Sequence, residues 1–215
     1  MSVKPRIPCY SAKHKNPESQ IARLAPFCAC ALLLFSAPAL AAEVKEGDEA
    51  PRWMLRPMNA TASGFKSVSI NDLLAGNPVQ PKAIIVSFFA TYCEPCKKEM
   101  PFLQNLYTSY KDKGLVIVEV SIDTEPEAIK EVEKLIADNK VTMPVVNDKM
   151  NVVAKRHNVS RLPHIVLIDG EGTVKRILIG YESSQLKVLE ADLGVLLGIG
   201  RWKNLPTPAK QEKKK

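Results

Sequence analysis

Two cysteines three positions apart, Cys93 and Cys96, enclose Glu94 and Pro95. An apolar run, residues 83–89, precedes them, and a helical pattern follows to about Tyr110. The pair therefore falls where a buried strand gives way to a helix. A helix amino terminus carries free N–H groups and about half a positive charge, which stabilises a thiolate. Positions i and i+3 share one helix face, so the two sulfurs can close into a disulfide with little rearrangement. Pro95 in the first turn costs no hydrogen bond and pre-sets the backbone. Cys93, nearer the end, is expected to attack, and Cys96, one turn in, to resolve the mixed disulfide. The same spacing serves zinc, but a structural zinc site takes four ligands. Beyond the pair, only His157 and His164 offer imidazole after residue 42. Thiolates also suit Cu(I), with one of these histidines as a third ligand.

The chain has 215 residues and five cysteines. Cys9, Cys28 and Cys30 lie in the first 42 residues, so the rest keeps only the Cys93–Cys96 pair. Two cysteines so close cannot staple a large fold, which favours working chemistry over scaffolding. The net charge of +7 is carried by the ends: residues 42–200 hold 19 basic and 21 acidic residues. That near-neutral centre lacks the basic footprint nucleic acid requires, so no nucleic-acid partner is expected. Lys4, Arg6, Lys13, Lys15 and Arg23 precede an apolar stretch, residues 24–42, which ends in Ala39-Leu-Ala41. Basic, apolar, then small residues is the layout of a signal peptide, cleaved after Ala41 or Ala42. The apolar stretch is also about 20 residues long, enough for an uncleaved membrane anchor. Either way the basic end stays cytoplasmic and the domain is exported. Residues 201–215, with two prolines and a terminal Lys213–Lys215 run, read as a basic disordered tail.

Between these ends the periodicity alternates. Short strand-like pieces at 53–58 and 67–70 flank Gly64 and predict a hairpin. Asn71 is placed to cap a short helix to Ala75. Continuous apolar runs at 83–89 and 115–122 predict strands covered on both faces. Helices are expected at 94–110, kinked by Pro101, and at 125–139, 150–157 and 183–197. Further strands are expected at 143–146, 164–168 and 173–179, with a turn at 169–172. The result is an α/β domain, residues 43–200, with a mixed central sheet flanked by helices, an N-terminal strand hairpin and a closing strand hairpin plus helix.

The run from Val86 through Cys93-Glu-Pro-Cys96 to Pro101 resembles the active-site segment of the thioredoxin superfamily, in its exported TlpA/ResA/DsbE-like branch. Arg161-Leu-Pro-His-Ile-Val-Leu-Ile-Asp-Gly170 resembles that family's second signature. The likeness spans about residues 47–198, and residues 125–146 resemble the helix and strand this branch inserts. It implies a thioredoxin-like fold and thiol–disulfide exchange outside the cytoplasm, periplasmic or anchored in the inner membrane, with no cofactor and no metal. It implies that Pro163 is cis and packs beside the disulfide, its missing N–H leaving flanking backbone free for an extended substrate. Leu162 is expected to line that groove. Tyr92 stands where the family usually has Trp and is expected to shield the disulfide.

Ser87 occupies the position where cytoplasmic thioredoxins carry a buried acid, so that proton acceptor is expected to be missing. Glu94 is the candidate to take part of its role, opposing the Cys93 thiolate by its charge. Lys97 and Lys98 read as solvated helix residues. His157 at a helix end reads as cationic or capping, and His164 as turned away from the cysteines. A peroxiredoxin shares the fold but normally has Thr three positions before its cysteine, where this chain has Ala90. The expected function is reduction of protein disulfides, for example apocytochrome c or copper-oxidase cysteines, with a membrane thiol as electron donor and residues 24–42 as attachment. A disulfide oxidase or isomerase, and a copper chaperone using the same cysteines, are the alternatives.

Overall fold

Two apolar runs build the centre of the sheet. β3 (Ala83–Phe89) and β4 (Leu115–Ser121) lie side by side and parallel, and every residue of both is buried. The computed structural model describes residues 43–200, apart from 77, 79 and 181. The segments read as a leader and as a basic tail lie outside the described residues. β1 (Met54–Leu55) pairs antiparallel with β2 (Val68–Ser69), and a one-turn helix, α1 (Ala60–Ser63), sits between them. The expected hairpin is therefore present, with shorter strands and a helical turn in its loop. α2 (Ile70–Leu74) follows directly. Its cap is Ser69, whose hydroxyl accepts the Asp72 N–H at 3.4 Å, rather than Asn71. Ser69 has the extended backbone an N-cap needs, whereas Asn71 is already inside the helix.

α3 (Glu94–Tyr110) runs as one element past Pro101. A 3-10 turn over Lys111–Lys113 leads to Gly114, whose φ of 97° closes the connection. A side chain there would also press on the Lys82 backbone. α4 (Pro126–Asp138) and β5 (Val145–Asn147) complete the parallel half of the sheet. After α5 (Val152–Arg156), β6 (His164–Asp169) returns antiparallel to β3, β7 (Val174–Ile179) pairs antiparallel with β6, and α6 (Ser183–Leu196) closes the chain. The sheet order is β5-β4-β3-β6-β7.

Strand alternation divides the core into two clusters, one per sheet face. Odd positions of β3 and β4 (Ala83, Ile85, Phe89, Leu115, Ile117) pack with Met100, Leu103 and Leu106 of α3, Val132 of α4 and Leu189 of α6. Even positions (Ile84, Val86, Phe88, Val116, Val118, Val120) pack with Trp53, Phe65, Leu73 and Val153. Each buried Val, Leu, Ile, Phe or Met among these contributes about 1.5–3 kcal/mol relative to exposure. That supports several polar groups buried at a cost between the same layers.

Candidate active site

α3 begins one residue after Cys93. Cys93 is its N-cap, with extended backbone, and its Sγ lies 3.3 Å from the Cys96 amide, which donates to it. The helix amino terminus thus directs an N–H at the sulfur expected to carry negative charge. Cys93 and Cys96 are joined as a disulfide, with Cα atoms 5.3 Å apart. Both are buried, Cys93 slightly the more exposed at 7% against 3%. Pro95 sits in the first turn, where its missing N–H costs nothing.

The remaining expected site residues gather at the same end of the sheet. β6 opposes Phe88 with His164, so Pro163 falls level with Phe89, next to the turn that carries Cys93. The Leu162–Pro163 bond is cis. Leu162 is half-buried and packs against the cluster that contains both cysteines. Tyr92 is 74% exposed, so its ring stands out from the surface beside Cys93. Glu94 is exposed and ion-paired to Lys97 at 3.2 Å. Lys97 is no free surface lysine: its Nζ also meets Glu131 of α4 at 3.0 Å, and both carboxylates raise its pKa.

Two groups that matter to proton handling were not singled out from the sequence. Glu99 is 2% exposed, and burial pushes its pKa up to about 8. Glu119 is also 2% exposed, and its Oε2 has no hydrogen-bond partner among the described residues. Burial, then the charge of Glu99, holds Glu119 well above the usual carboxylate range, partly offset by the Ser87 hydroxyl. Ser87 and Glu119 are register partners on β3 and β4. As odd positions they face the α3 side of the sheet, which holds both cysteines and Met100. The Ser87 position itself carries no acid, but its register partner Glu119, on the adjacent strand, places a buried carboxyl beside it. Glu99 had a signal in the sequence, because Cys96, Glu99, Met100, Leu103 and Leu106 share the buried helical stripe.

The cationic reading of His157 is corrected. It is the C-cap of α5, its N–H donating to the Val153 carbonyl, but its ring is buried, Nε2 accepting the Trp53 indole N–H at 3.0 Å. Burial, with His164 nearby, lowers its pKa to about 3. His164 is buried, and burial lowers its pKa to about 4. Both rings contact Phe88, at centroid distances of 5.2 and 5.8 Å. Phe88 belongs to the face away from the cysteines. Among the described residues no cluster of three or more His, Cys, Asp or Glu could hold a metal ion.

The chain is similar to known proteins over this same region. Residues 47–177 match the AhpC/TSA family model. A thiol-disulfide oxidoreductase ResA of Bacillus subtilis is 32% identical over 154 residues, covering 71% of this chain and 78% of the relative. A ResA of Oceanobacillus iheyensis is 34% identical, covering 62% of this chain and 65% of the relative, a little under two thirds of its length. The thioredoxin domain of a Bacteroides vulgatus thiol-disulfide oxidoreductase superposes with a TM-score of 0.51 at 31% identity, covering 64% of this chain and 91% of that one. A structure from Chlorobium tepidum, described as a thiol:disulfide interchange protein DsbE, has a TM-score of 0.62 at 23% identity, covering 73% and 100%, and supports the fold. With a disulfide at the head of α3 in a thioredoxin-like sheet, the chain belongs to the AhpC/TSA family, among its ResA-like thiol-disulfide oxidoreductases.

Proposed function

We propose that this protein is an exported reductase of protein disulfides. The observation that carries the reading is the Cys93–Cys96 pair itself: one sulfur caps a helix and accepts an amide, the other lies a turn deeper. In the reduced protein the Cys93 thiolate attacks one sulfur of a substrate disulfide. The other substrate sulfur leaves as a thiolate and takes up a proton. Cys96, deprotonated, then attacks Cys93, freeing the second substrate thiol and closing the Cys93–Cys96 disulfide. A dithiol donor on the membrane side returns the two electrons and two protons.

Cys96 must lose its proton in a buried setting. Glu99 lies one turn along the same helix stripe. Burial lifts the Glu99 carboxyl to about 8, where its carboxylate is a far better base for a thiol than one at the usual value. Glu119 behind it extends the buried acidic patch. Leu162, Pro163 and Tyr92 form the rim where an extended substrate segment docks. The layout of residues 1–42 supports action outside the cytoplasm, with attachment through residues 24–42 if the leader is retained. Resemblance supports cysteines of apocytochrome c or of a copper site as substrates. The placement of His157 and His164 on the other sheet face supports disulfide exchange over copper carriage.

Cys96→Ser is expected to trap a mixed disulfide between Cys93 and its substrate in the exported compartment, whereas Cys93→Ser traps none. A reduction potential near or below about −270 mV is expected of a reductant. A value toward about −120 mV would make the protein an oxidant and overturn the reductive direction.

A further inference from the structure

The turn that delivers Cys93 is held from beneath by a carboxylate that the exchange reaction does not use. β3 ends at Phe89 and α3 begins at Glu94, so residues 90–93 must convert strand into helix. Within that turn Thr91 is buried while its neighbour Tyr92 points outward. Thr91 is anchored by Asp123, a buried residue two positions beyond β4. One carboxylate oxygen of Asp123 accepts the Thr91 hydroxyl at 2.8 Å and its N–H at 3.2 Å. The other accepts the same N–H at 3.0 Å and the Ser121 hydroxyl at 2.9 Å. Asn147 of β5 backs this arrangement, its Nδ2 donating to the Ser121 hydroxyl at 3.3 Å and to the Asp123 carbonyl at 2.8 Å.

Every partner of the Asp123 carboxylate oxygens is a donor, as an acceptor-only carboxylate requires. Such buried, charge-assisted bonds are short and strong, and they fix geometry as well as adding energy. Their principal target is the residue two before Cys93. Its carboxylate is bonded to the residue two before Cys93, so it lies under the same turn, and a like charge there disfavours a second anion at the Cys93 sulfur.

We propose that Asp123 is a positioning residue for the Cys93–Cys96 pair: through Thr91 it fixes the turn ending in Cys93, and its charge holds the Cys93 thiolate back. A less stable thiolate means a less stable reduced form, so Asp123 makes the pair more reducing. The inference rests on the reading above only in taking Cys93 as the attacking thiol. The other titratable groups around the pair include Tyr92 in the turn, Glu94, Lys97, Lys98, Glu99 and Tyr107 on α3, Glu131 on α4 and Glu119 on β4, and the test leaves all of them in place.

The test is Asp123→Asn in the full chain, read by site-resolved alkylation of Cys93 across pH and by equilibration of the pair with glutathione. Expected is a Cys93 pKa lower by about half a unit or more, about a threefold gain in thiolate at neutral pH. At pH above the Cys93 pKa the equilibrium with glutathione should move toward the dithiol by up to a similar factor, where tenfold corresponds to about 30 mV. A folded variant that melts earlier but titrates and equilibrates like the wild type would overturn the proposal and leave Asp123 a structural brace. If Asp123→Asn does not fold, Ser121→Ala decides. It strips one donor from a carboxylate that stays in place, so Cys93 should titrate higher and the pair become harder to reduce, and no movement overturns the proposal. Both readouts are equilibrium properties of the cysteine pair. Failure to reduce any substrate disulfide would defeat the proposed function and leave this test standing.

Discussion

Replacing Glu99 by Gln separates what a buried carboxyl costs from what it does. Glu99 titrates near 4.5 when exposed and near 8 in the fold, and burial is the cause. A raised carboxyl pKa means that the folded state holds its proton after the unfolded chain has released one. Its stabilising contribution is then complete below pH 4.5 and is lost as pH rises toward 8. At about 1.4 kcal/mol per unit, the loss at pH 7 is about 3 kcal/mol, approaching about 5 kcal/mol above pH 8. Gln keeps the shape and cannot ionise. Below about pH 7 Glu99 is mostly neutral in the fold, so its charge perturbs Glu119 little in either protein. Urea unfolding of the disulfide form at steps of pH should show Glu99→Gln matching the wild type near pH 4.5. It should pull ahead by about 1.4 kcal/mol per pH unit and level off above 8. With a urea slope of about 1–3 kcal/mol per molar, the midpoint at pH 7 moves up by about 1–3 M. The same variant should reduce disulfides more slowly, by on the order of 10²-fold, because Cys96 loses its proton partner. A stability difference that does not change with pH would refute the buried, raised carboxyl. Unchanged turnover would refute its use as a base.

His164→Leu keeps the apolar contact with Phe88 and removes a buried imidazole whose pKa falls from 6.5 to about 4. A depressed pKa gives stability that is complete above 6.5 and is lost as pH falls, so from pH 7 to 4 the wild type should lose about 3 kcal/mol relative to the variant; parallel unfolding curves would sink this. Glu94→Gln should lower the Cys93 pKa, but by less than about one unit, since Glu94 is exposed and already paired with Lys97. A rise in the alkylation pKa of Cys93 would contradict that account.

Elements with a strong local cause were legible in the sequence. β3 has the bounds its sequence predicts, because seven consecutive apolar or small residues leave a strand covered on both faces as the simplest solution. α3, α4 and α6 declared themselves by periodicity within a residue or two. β5 starts two residues later than expected, since Met143 and Pro144 fit a strand pattern but only 145–147 pair with β4. Cys93, Pro95 and Cys96 were legible because a buried apolar run ends just before them and a helical pattern begins at them. Glu99 and Glu119 were open to inference but overlooked: one sits on a buried helical stripe, the other inside an otherwise uncharged buried run. His157 was out of reach, since its partner Trp53 is 104 positions away in sequence. Asp123 was hidden for the same reason: its hold on Thr91, 32 residues earlier, exists only once β4 lies beside β3.

The sheet separates two kinds of buried titratable group, and their pH slopes oppose. Glu99 and Glu119 lie on the α3 side with the cysteines, while His157 and His164 lie with Phe88 on the other. From about pH 5 to 6.5 the unfolded chain holds an extra proton on each histidine, and the folded chain one on Glu99, with Glu119 raised in the same direction. Each histidine therefore makes stability rise with pH by about 1.4 kcal/mol per unit, and Glu99 makes it fall by as much, with Glu119 acting the same way. The two kinds of group oppose one another in that window. Above 6.5 the histidines drop out and the glutamates alone act, so stability declines toward pH 8. That is the range in which thiols near pKa 8.5 begin to ionise and disulfide exchange accelerates. The fold thus gives up stability on the side of the sheet, and over the span of pH, where a carboxyl must trade protons with a buried thiol. A carboxyl left at its usual pKa would spare the fold that loss, but it would be too weak a base to take the proton from Cys96.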